Sequence, residues 1–528
     1  MMLPEVEIAT VNTIGDGLRR ATKRYANQDA LLFQSRRWTY RELDQAVNRV
    51  ANHLLSSGLK QGDRVAAYGK NSDAYLLLFL ACARSGLIHV PINFALVKEE
   101  LLYLLNQSGA SAIYIDDELA DNVDAVLEDT QIRQRGSLHT TNTSTELSDI
   151  LQLAQANTDA SPPEVSICDT DIVQILYTSG TTSHPKGAMH THRGFMAEYS
   201  SCIQHLQLRS NDRLLAALPL YHSAQMHVFT MPALMTGAMN CILQTPTPDA
   251  IFNAISHEKL NSVFAPPTVW IGLLQHEGFE QNDLSSLVNI YYGASIMPEP
   301  IVAELQDRLP GCQLFNCYGQ SEMAPLATVL APDEQEGRLA SIGKPVMSVE
   351  TRIVDPVTLE DCPPGERGEI IHRSPHVMVG YWDKPEQTAE AFAGGWFHSG
   401  DLAYADEEGY IYIVDRIKDV VNTGGVLVAS RDVEEALYLH PAVAEVAVIG
   451  TPHPRWIEAI TAVIVLKDDE TVDSEQLQAH CQQHLAAFKI PKSFVFTPAL
   501  PKNTAGKLLK RNLRERYNDI SLSELDAV

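Results

Sequence analysis

The sequence is poor in basic residues and has no recognisable cysteine pattern. Its 528 residues contain 40 Lys and Arg against 66 Asp and Glu, which gives a formal net charge of -26. Such a charge repels nucleic-acid phosphates and anionic lipid, so we expect no nucleic-acid partner and a local site for any bound nucleotide. The eight cysteines form no CxxC pair and no zinc-ligand spacing. We therefore expect reduced thiols, without a disulfide framework or a structural metal.

Long hydrophobic runs and a secretory start are also missing. The apolar run 74–83 is too short to cross a bilayer before Arg84, which predicts no integral membrane span. The first residues are acidic, whereas a signal peptide needs a basic start followed by an apolar stretch. We expect a cytoplasmic protein.

What the chain does have is the composition of an ordinary globular protein, with 45% hydrophobic and 20% charged residues. Its length exceeds what one hydrophobic core supports, so we expect at least two domains. Thr39 and Glu42 form a capping box, apolar residues follow at helical spacing, Gly58 can end the helix, and 64–68 has the pattern of a strand. A similar unit recurs at 72–92, which predicts an α/β fold of parallel sheets covered by helices.

The pattern changes further along the chain. A polar stretch, 140–165, predicts a surface loop between subdomains. Segments 368–382 and 409–416 alternate like antiparallel strands and predict a β-rich part late in the large domain. A helix-strand-strand pattern after residue 419 predicts a small α+β domain. The predicted division is a large domain at 1–415, a hinge at 416–418 and a small domain at 419–528.

The stretch ILYTSGTTSHPKG, residues 175–187, has the residue types of a phosphate-binding loop. A short apolar strand leads into a turn rich in Gly, Ser and Thr, followed by Lys186, Gly187 and a helical pattern. Glycines let backbone amides approach an anion, hydroxyls can donate to phosphate oxygens, and Lys186 adds a positive charge. The order differs from a Walker A motif, because Gly187 stands where that motif has Ser or Thr. A mobile surface loop is the alternative for a stretch of this composition.

Five blocks of the sequence, in this order, resemble the signatures of one known family. They are the loop at 175–187, YYGASIMP at 291–298, NCYGQSEM at 316–323, the segment 396–419, and PKNTAGKLLKR at 501–511. Together they resemble the adenylate-forming enzymes, which include acyl-CoA synthetases, luciferases and stand-alone adenylation domains. The resemblance extends over nearly the whole chain and favours the acyl-CoA synthetase branch. It implies a large N-terminal domain and a small, mobile C-terminal α+β domain.

The resemblance implies a reaction in two steps, with ATP, a small-molecule carboxylic acid and CoA as substrates. AMP is transferred to the carboxylate, and the acyl group then passes to CoA. Catalytic roles are implied for Lys507, which offsets charge at the α-phosphate, for His222, which gates the acid, and for Glu322, which binds Mg²⁺. The residues implied for binding ATP and AMP are Thr178, Ser179, Gly180, Thr181, Thr182, Lys186, Gly293, Ala294, Ser295, Tyr318, Gly319, Ser321, Asp401 and Arg416.

The resemblance further implies that the small domain turns after pyrophosphate leaves, with Lys418 at the hinge. Gly424 and Gly425 would then leave room for the pantetheine arm of CoA. Many relatives have Glu-Asn after these two glycines, whereas this chain has Val426 and Leu427. No role of that Glu is carried over.

Each of these residues also has an ordinary structural alternative. Glu322 could be a solvated carboxylate, Asp401 a turn cap, Tyr318 part of a core, Lys507 a solvated lysine, and His222 a satisfied core histidine. The order of the motifs, rather than any single residue, supports the functional assignments.

The predicted acyl pocket has uncharged walls, with Met226, Val269, Trp270 and Gly293 as liners. This favours an aliphatic acid, such as a medium- or long-chain fatty acid. An aryl-acid CoA ligase, or an enzyme that loads a carrier protein, is the main alternative. A catalytically silent nucleotide-binding protein and an oxidative, luciferase-like enzyme are further ones. The length of the acid and the oligomeric state, including a homodimer, stay open.

Overall fold

A computed structural model describes residues 9–139, 148–178, 184–295, 297–424, 426–467, 470–503 and 508–517. The strands in these ranges, numbered β1 to β25 in chain order, are Asp29–Phe33, Arg36–Thr39, Arg64–Tyr68, Ile88–Ile92, Ala112–Asp116, Gln134–His139, Ser148–Asp149, Ile172–Thr178, Lys186–Thr191, Arg213–Ala216, Met239–Ile242, Ser262–Ala265, Asn289–Gly293, Gln313–Gly319, Leu326–Leu330, Lys344–Pro345, Glu350–Val354, Gly368–Arg373, Phe397–Ala405, Ile411–Arg416, Val421–Thr423, Val426–Val428, Val443–His453, Ile457–Leu466 and Ser493–Phe496. The α-helices in the same ranges are Ile14–Tyr25, Tyr40–Ser56, Asp73–Ser85, Lys98–Ser108, Ala120–Asp124, Ile150–Gln155, His192–His205, Met231–Thr236, Pro248–Glu258, Pro267–Gln275, Gly278–Gln281, Glu299–Arg308, Pro385–Ala391, Ser430–Tyr438, Ser474–His484 and Lys510–Tyr517.

Two large sheets form most of the molecule. One has nine strands in the order β16-β15-β14-β13-β12-β10-β11-β1-β2, and the other has seven in the order β7-β6-β5-β3-β4-β8-β9. Strands β10 to β14 pair in parallel, as do β3, β4 and β5. Antiparallel partners, such as β2, β15 and β9, lie towards the edges. The predicted α/β fold class is confirmed.

Helix Asp73–Ser85 shows why the sequence contains a run of apolar residues at this point. The helix contacts β1 of the nine-stranded sheet and β3, β4 and β6 of the seven-stranded sheet. Nearly all of its residues are therefore buried, including Leu76, Leu78 and Phe79. A helix that is apolar on every face is stable in water only when it is enclosed in this way. No helix in the described ranges combines the length and the apolar character needed to cross a bilayer.

The helix-strand unit predicted at 39–68 is present. Thr39 accepts the backbone N–H of Glu42, and Glu42 accepts the N–H of Thr39, which completes the capping box. The helix ends at Ser56, and Gly58 follows with φ +97°, a conformation that glycine adopts without strain. The predicted strand 64–68 is β3.

The prediction for the polar stretch 140–165 is wrong in part. Residues 140–147 lie outside the described ranges, but β7 and helix Ile150–Gln155 follow them. The helix buries Ile150, Leu151 and Ala154 against the large core, and Asp149 caps its N-terminus. The burial of these three apolar residues stabilises a short helix within an otherwise polar stretch.

The remaining strands of the described residues form two smaller sheets. The predicted β-rich part is confirmed as an antiparallel sheet in the order β17-β18-β19-β20. The last sheet contains β22-β21-β24-β23, with β25 paired to β24, and its strands all come after residue 420. Helices Ser430–Tyr438 and Ser474–His484 pack on this last sheet around a separate core. The predicted helix-strand-strand order is confirmed, while the boundary at 416–418 stays a prediction.

Candidate active site

The flanks of the predicted phosphate-binding loop form a hairpin. β8 ends at Thr178, β9 begins at Lys186, and these two residues lie opposite each other in the antiparallel pair. The helical pattern expected directly after Gly187 begins only at His192, because residues 186–191 pair with β8 first. Four other predicted ATP-binding residues, Ser179, Gly180, Thr181 and Thr182, lie outside the described residues.

Glu322 lies close to this hairpin. It is in the 3₁₀ turn Ser321–Met323 that follows β14, and only 9% of its surface is exposed. Its Oε1 accepts hydrogen bonds from the Thr178 hydroxyl at 3.1 Å and from the Tyr381 hydroxyl at 3.0 Å. Glu322 is therefore a buried, hydrogen-bonded carboxylate, which excludes the solvated alternative.

Tyr381 was not identified from the sequence. Residues 379–382 lie alongside β9 through backbone hydrogen bonds of 2.7 to 2.9 Å, which brings the ring of Tyr381 to 5.0 Å from Nζ of Lys186. Burial raises the pKa of the Tyr381 hydroxyl, and the Glu322 carboxylate raises it further, so the hydroxyl remains a proton donor. The aromatic pair that follows Gly380 is the available signal, although the alternating pattern of 368–382 by itself indicates only a strand. Tyr381 links the predicted phosphate-binding lysine to the predicted metal-binding carboxylate.

A second group forms around Asp401. Asp401 lies in β19 opposite Arg416 in β20, and Nε of Arg416 is 3.3 Å from Oδ1 of Asp401. The Tyr318 hydroxyl donates to Oδ2 at 2.7 Å. Although burial alone lowers the pKa of Arg416, the Asp401 carboxylate raises it, so the guanidinium stays charged. Asp401 is only 5% exposed and lies within a strand, which argues against the turn-cap alternative.

The predicted adenine-binding turn adjoins Tyr318. Gly293 ends β13 opposite Cys317 of β14, and a Cβ on Gly293 would lie 2.1 Å from the Cys317 carbonyl oxygen. A Cβ on Gly319 would lie 1.8 Å from a backbone oxygen of Pro325. Both glycines are therefore required by the close approach of two backbones.

Ala294 and Ser295 follow and are exposed. Ala294 has φ +63°, in the left-handed region that costs an L-residue roughly 1–2 kcal/mol. Such strain in an exposed turn motivates a functional hypothesis for that turn.

The segment that contains His222 reaches the same region through a pair of serines. The hydroxyls of Ser223 and Ser321 are 2.8 Å apart. His222 is half-buried, and its Nδ1 accepts the backbone N–H of Ala224 at 3.3 Å. Ser223 was not identified from the sequence, and the role of His222 stays a prediction.

The predicted acyl-pocket liners belong to different apolar clusters. Met226 is buried in the large core, whereas Trp270 is buried in a second cluster and donates from Nε1 to the Tyr291 carbonyl at 3.4 Å. Val269 is half-buried and packs against two clusters. Their contribution to an acyl pocket stays a prediction.

Lys507 and Gly425 lie outside the described residues. Lys418 is exposed in the turn Ile417–Asp419. Gly424 has φ +65° and donates its N–H to the Trp456 carbonyl at 2.6 Å. Val426 and Leu427 are 44% and 67% exposed.

The helix that follows the Lys507 segment is fixed to the small domain by ion pairs. Lys510 pairs with Glu434 at 2.8 Å, and Arg514 pairs with Asp419 at 2.5 Å. Burial opposes the charge on Lys510, but Glu434 and Asp415 raise its pKa. Asp415, the last residue of the predicted large domain, accepts the N–H of Ser430 at 2.6 Å, which connects the strand before the predicted hinge to the small domain.

The structure thus gathers six of the described site residues into two groups. Thr178, Lys186 and Glu322 form one, and Tyr318, Asp401 and Arg416 form the other. Residues 318–322 contribute to both groups, so a single strand end and turn joins them.

Comparison with known proteins identifies the family to which the chain belongs. The family model described as AMP-binding enzyme matches residues 18–382, and the model described as AMP-binding enzyme C-terminal domain matches residues 432–507. The chain is 37% identical over 479 residues to a feruloyl-CoA synthase of Amycolatopsis sp, covering 91% of this chain and 94% of that protein. It is 33% identical over 486 residues to the long-chain-fatty-acid–CoA ligase FadD13 of Mycobacterium tuberculosis, covering 91% of this chain and 93% of that protein.

Among solved structures, ATP-bound MatB from Rhodopseudomonas palustris is similar, with a TM-score of 0.88 and 30% identity over 96% of this chain and 99% of that one. The family models and the relatives agree with the order of motifs in the sequence. The chain therefore belongs to the family of AMP-binding, adenylate-forming enzymes, in its acyl-CoA synthetase branch.

Proposed function

We propose that this acyl-CoA ligase first joins a hydrophobic carboxylic acid to AMP, with release of pyrophosphate, and then transfers the acyl group to CoA, with release of AMP. The observation that carries the proposal is the presence of two buried carboxylates, Glu322 and Asp401, each of which accepts a hydrogen bond from a tyrosine hydroxyl. Arg416 contacts Asp401, and Lys186 lies over the ring of the tyrosine that donates to Glu322. One carboxylate suits the phosphate end of ATP and the other suits its ribose.

At the phosphate end, Thr178 can donate a hydrogen bond and Lys186 supplies positive charge. Glu322 offers the hard, buried oxygen that Mg²⁺ prefers, so its chemistry fits this ion. The described residues contain no cluster of three or more His, Cys, Asp or Glu that could hold a metal ion. Mg²⁺ in such sites commonly takes one or two carboxylates and completes its shell with phosphate oxygens and water. When bound, the ion would neutralise charge on the phosphates.

At the ribose end, Asp401 is proposed to accept hydrogen bonds from both ribose hydroxyls. The Tyr318 hydroxyl and Arg416 fix the orientation of the carboxylate, since they contact different oxygens of it. A preoriented acceptor loses less conformational entropy when the nucleotide binds.

Lys507 is proposed to offset the negative charge that develops as the carboxylate attacks the α-phosphate. Helix Lys510–Tyr517 begins three residues later and is fixed to the small domain, which supports a role for that domain in presenting the lysine. His222 is proposed to gate entry of the acid beside the Ser223–Ser321 pair.

Two classes of acid are candidates. A phenylpropenoic acid is favoured by the 37% identity to a protein named feruloyl-CoA synthase. A medium- or long-chain fatty acid is favoured by the uncharged residues predicted to line the acyl pocket, Met226, Val269 and Trp270, and by the 33% identity to a long-chain-fatty-acid–CoA ligase. Both classes share an uncharged, hydrophobic tail.

The experiment is ATP–pyrophosphate exchange with a panel of straight-chain, branched and aromatic acids, followed by mass spectrometry of thioester products. We expect exchange that depends on the acid and AMP release that depends on CoA. Absence of exchange with every acid would refute the proposal. If a pantetheinylated carrier protein accepts the acyl group and CoA does not, the carrier-loading alternative replaces the CoA step.

A further inference from the structure

Helix Lys98–Ser108 contacts the proposed phosphate site through two side chains on one face. Tyr103 and Gln107 are four residues apart and therefore neighbours on the helix surface. The Tyr103 hydroxyl donates to the Pro185 carbonyl at 3.1 Å. Its ring stacks on His184, with centroids 4.6 Å apart and planes inclined by 20°. Tyr103 thus contacts the two residues that precede Lys186.

Gln107 joins two other segments of the same site. The Tyr177 hydroxyl donates to Oε1 of Gln107, and Nε2 of Gln107 donates to the Trp382 carbonyl at 2.8 Å. Tyr177 directly precedes Thr178, and Trp382 directly follows Tyr381. The amide uses its acceptor for one segment and its donor for the other, a combination that neither a carboxylate nor an apolar side chain can provide.

The three segments held in this way carry Thr178 and Tyr381, which both donate to Glu322, and Lys186, whose ammonium group lies over the Tyr381 ring. Thr178 and Lys186 face each other across β8 and β9, so the separation of these strands sets the separation of a hydroxyl donor and a cation. Displacement of such groups by about 1 Å can cost roughly 100-fold in rate. The helix is thus placed to fix that separation.

We propose that Tyr103 and Gln107 are positioning residues for ATP binding, which act through the ends of β8 and β9 and do not touch the substrate. This inference rests on the proposed function, because it assumes that Thr178 and Lys186 bind phosphates. If the pair served stability alone, its substitution would change the kinetics of every substrate equally. If the pair positions the phosphate-binding side chains, its substitution weakens the binding of ATP in particular.

The test uses the full-length protein with Gln107→Leu, Gln107→Glu and Tyr103→Phe. Gln107→Glu keeps the acceptor for Tyr177 and removes the donor to Trp382. Asn106→Ala is the matched control, because Asn106 lies on the same helix, is exposed, and bonds to the Asp129 carbonyl. The readouts are the Kd for MgATP by calorimetry without any acid, the KM values of the acid and CoA, and thioester formation from supplied acyl-adenylate.

We expect Gln107→Leu to raise the Kd for MgATP roughly tenfold and Gln107→Glu and Tyr103→Phe roughly threefold. The control, the other KM values and thioester formation from acyl-adenylate should stay within about twofold. Unchanged ATP affinity in Gln107→Leu would overturn the inference, as would an equal loss in both half-reactions that follows a lower melting temperature.

The outcomes also separate this inference from the proposed function. If the native protein binds ATP but activates no acid, the proposed function fails, and the Kd series still decides the role of the pair. If variants and native protein bind ATP equally while acids are activated, only the positioning role fails. A native protein that does not bind ATP would overturn both.

Discussion

Replacement of Asp401 by Asn removes the charge from the proposed ribose acceptor and keeps its shape. A carboxylate offers about four lone-pair sites. The Tyr318 hydroxyl, at 2.7 Å from Oδ2, and Nε of Arg416, at 3.3 Å from Oδ1, take two of them. Two sites therefore remain for the two ribose hydroxyls. An amide oxygen offers about two, which these hydroxyls would have to share with Tyr318 and Arg416.

The size of the effect follows from this count. A hydrogen bond to a charged group contributes about 1.5–3 kcal/mol, against about 0.5–1.5 kcal/mol for a neutral pair. The loss is then about 1–1.5 kcal/mol per hydroxyl and about 2–3 kcal/mol for both. We expect Asp401→Asn to weaken ATP binding roughly 30- to 150-fold.

The assay is pyrophosphate exchange with ATP, 2′-deoxy-ATP and 3′-deoxy-ATP, each with native protein and Asp401→Asn. Loss of one hydroxyl should cost the native protein roughly 10- to 150-fold in kcat/KM and cost the variant only about 2- to 13-fold, because the interaction is already weakened there. Glu407→Gln, which removes an exposed charge just after β19, is the control and should behave like the native protein. An equal penalty for the deoxynucleotides in variant and native protein would refute the ribose assignment.

Three further predictions address other parts of the structure. Tyr381→Phe removes one of the donors to Glu322, so the Mg²⁺ concentration for half-maximal exchange should rise roughly tenfold; an unchanged Mg²⁺ titration would contradict this. Gly293→Ala places a Cβ 2.1 Å from a backbone oxygen of the neighbouring strand and should lower the free energy of unfolding by about 1–3 kcal/mol. Gly272→Ala is the control and should not lower it, because a Cβ at Gly272 would have no neighbouring atom within 4 Å. Burial raises the pKa of the Glu198 carboxyl well above its ordinary value, so the folded protein keeps a proton that the unfolded chain releases. The native protein therefore loses stability as the pH rises above the pKa of Glu198 in the unfolded chain. Glu198→Gln removes this linkage, so urea unfolding should show its stability relative to the native protein rising as the pH increases above the unfolded pKa of glutamate, by at most about 1.4 kcal/mol per pH unit; a difference that does not depend on pH would exclude the buried proton.

Local signals predicted the fold where a few neighbouring residues determine the structure. The capping box of Thr39 and Glu42 needs only four consecutive residues, and the helix begins where it was expected. The short helix at Ile150 was missed, because its stability comes from tertiary packing of one apolar face rather than from local propensity.

The candidate site likewise contains residues that a local motif predicts and residues that only tertiary contacts bring together. Glu322 and Asp401 were identified because they lie in recognisable motifs. Tyr381 was not, since its hydrogen bond to Glu322 joins residues 59 positions apart and depends on residues 379–382 adding to β9. Contacts of this kind arise from the topology of the sheet, which a single sequence does not encode in any short pattern. The roles of Lys507 and Gly425 stay predictions.

In the proposed reaction, an oxygen of the carboxylic acid attacks the α-phosphate of ATP. The direct measurement uses an accepted acid labelled with heavy oxygen in its carboxylate, together with ATP and CoA, and weighs the released AMP by mass spectrometry. An acyl-adenylate intermediate predicts one labelled oxygen in each AMP, because the bond between the acyl carbon and that oxygen breaks when CoA attacks. Unlabelled AMP, or label in phosphate or pyrophosphate, would contradict an acyl-adenylate intermediate.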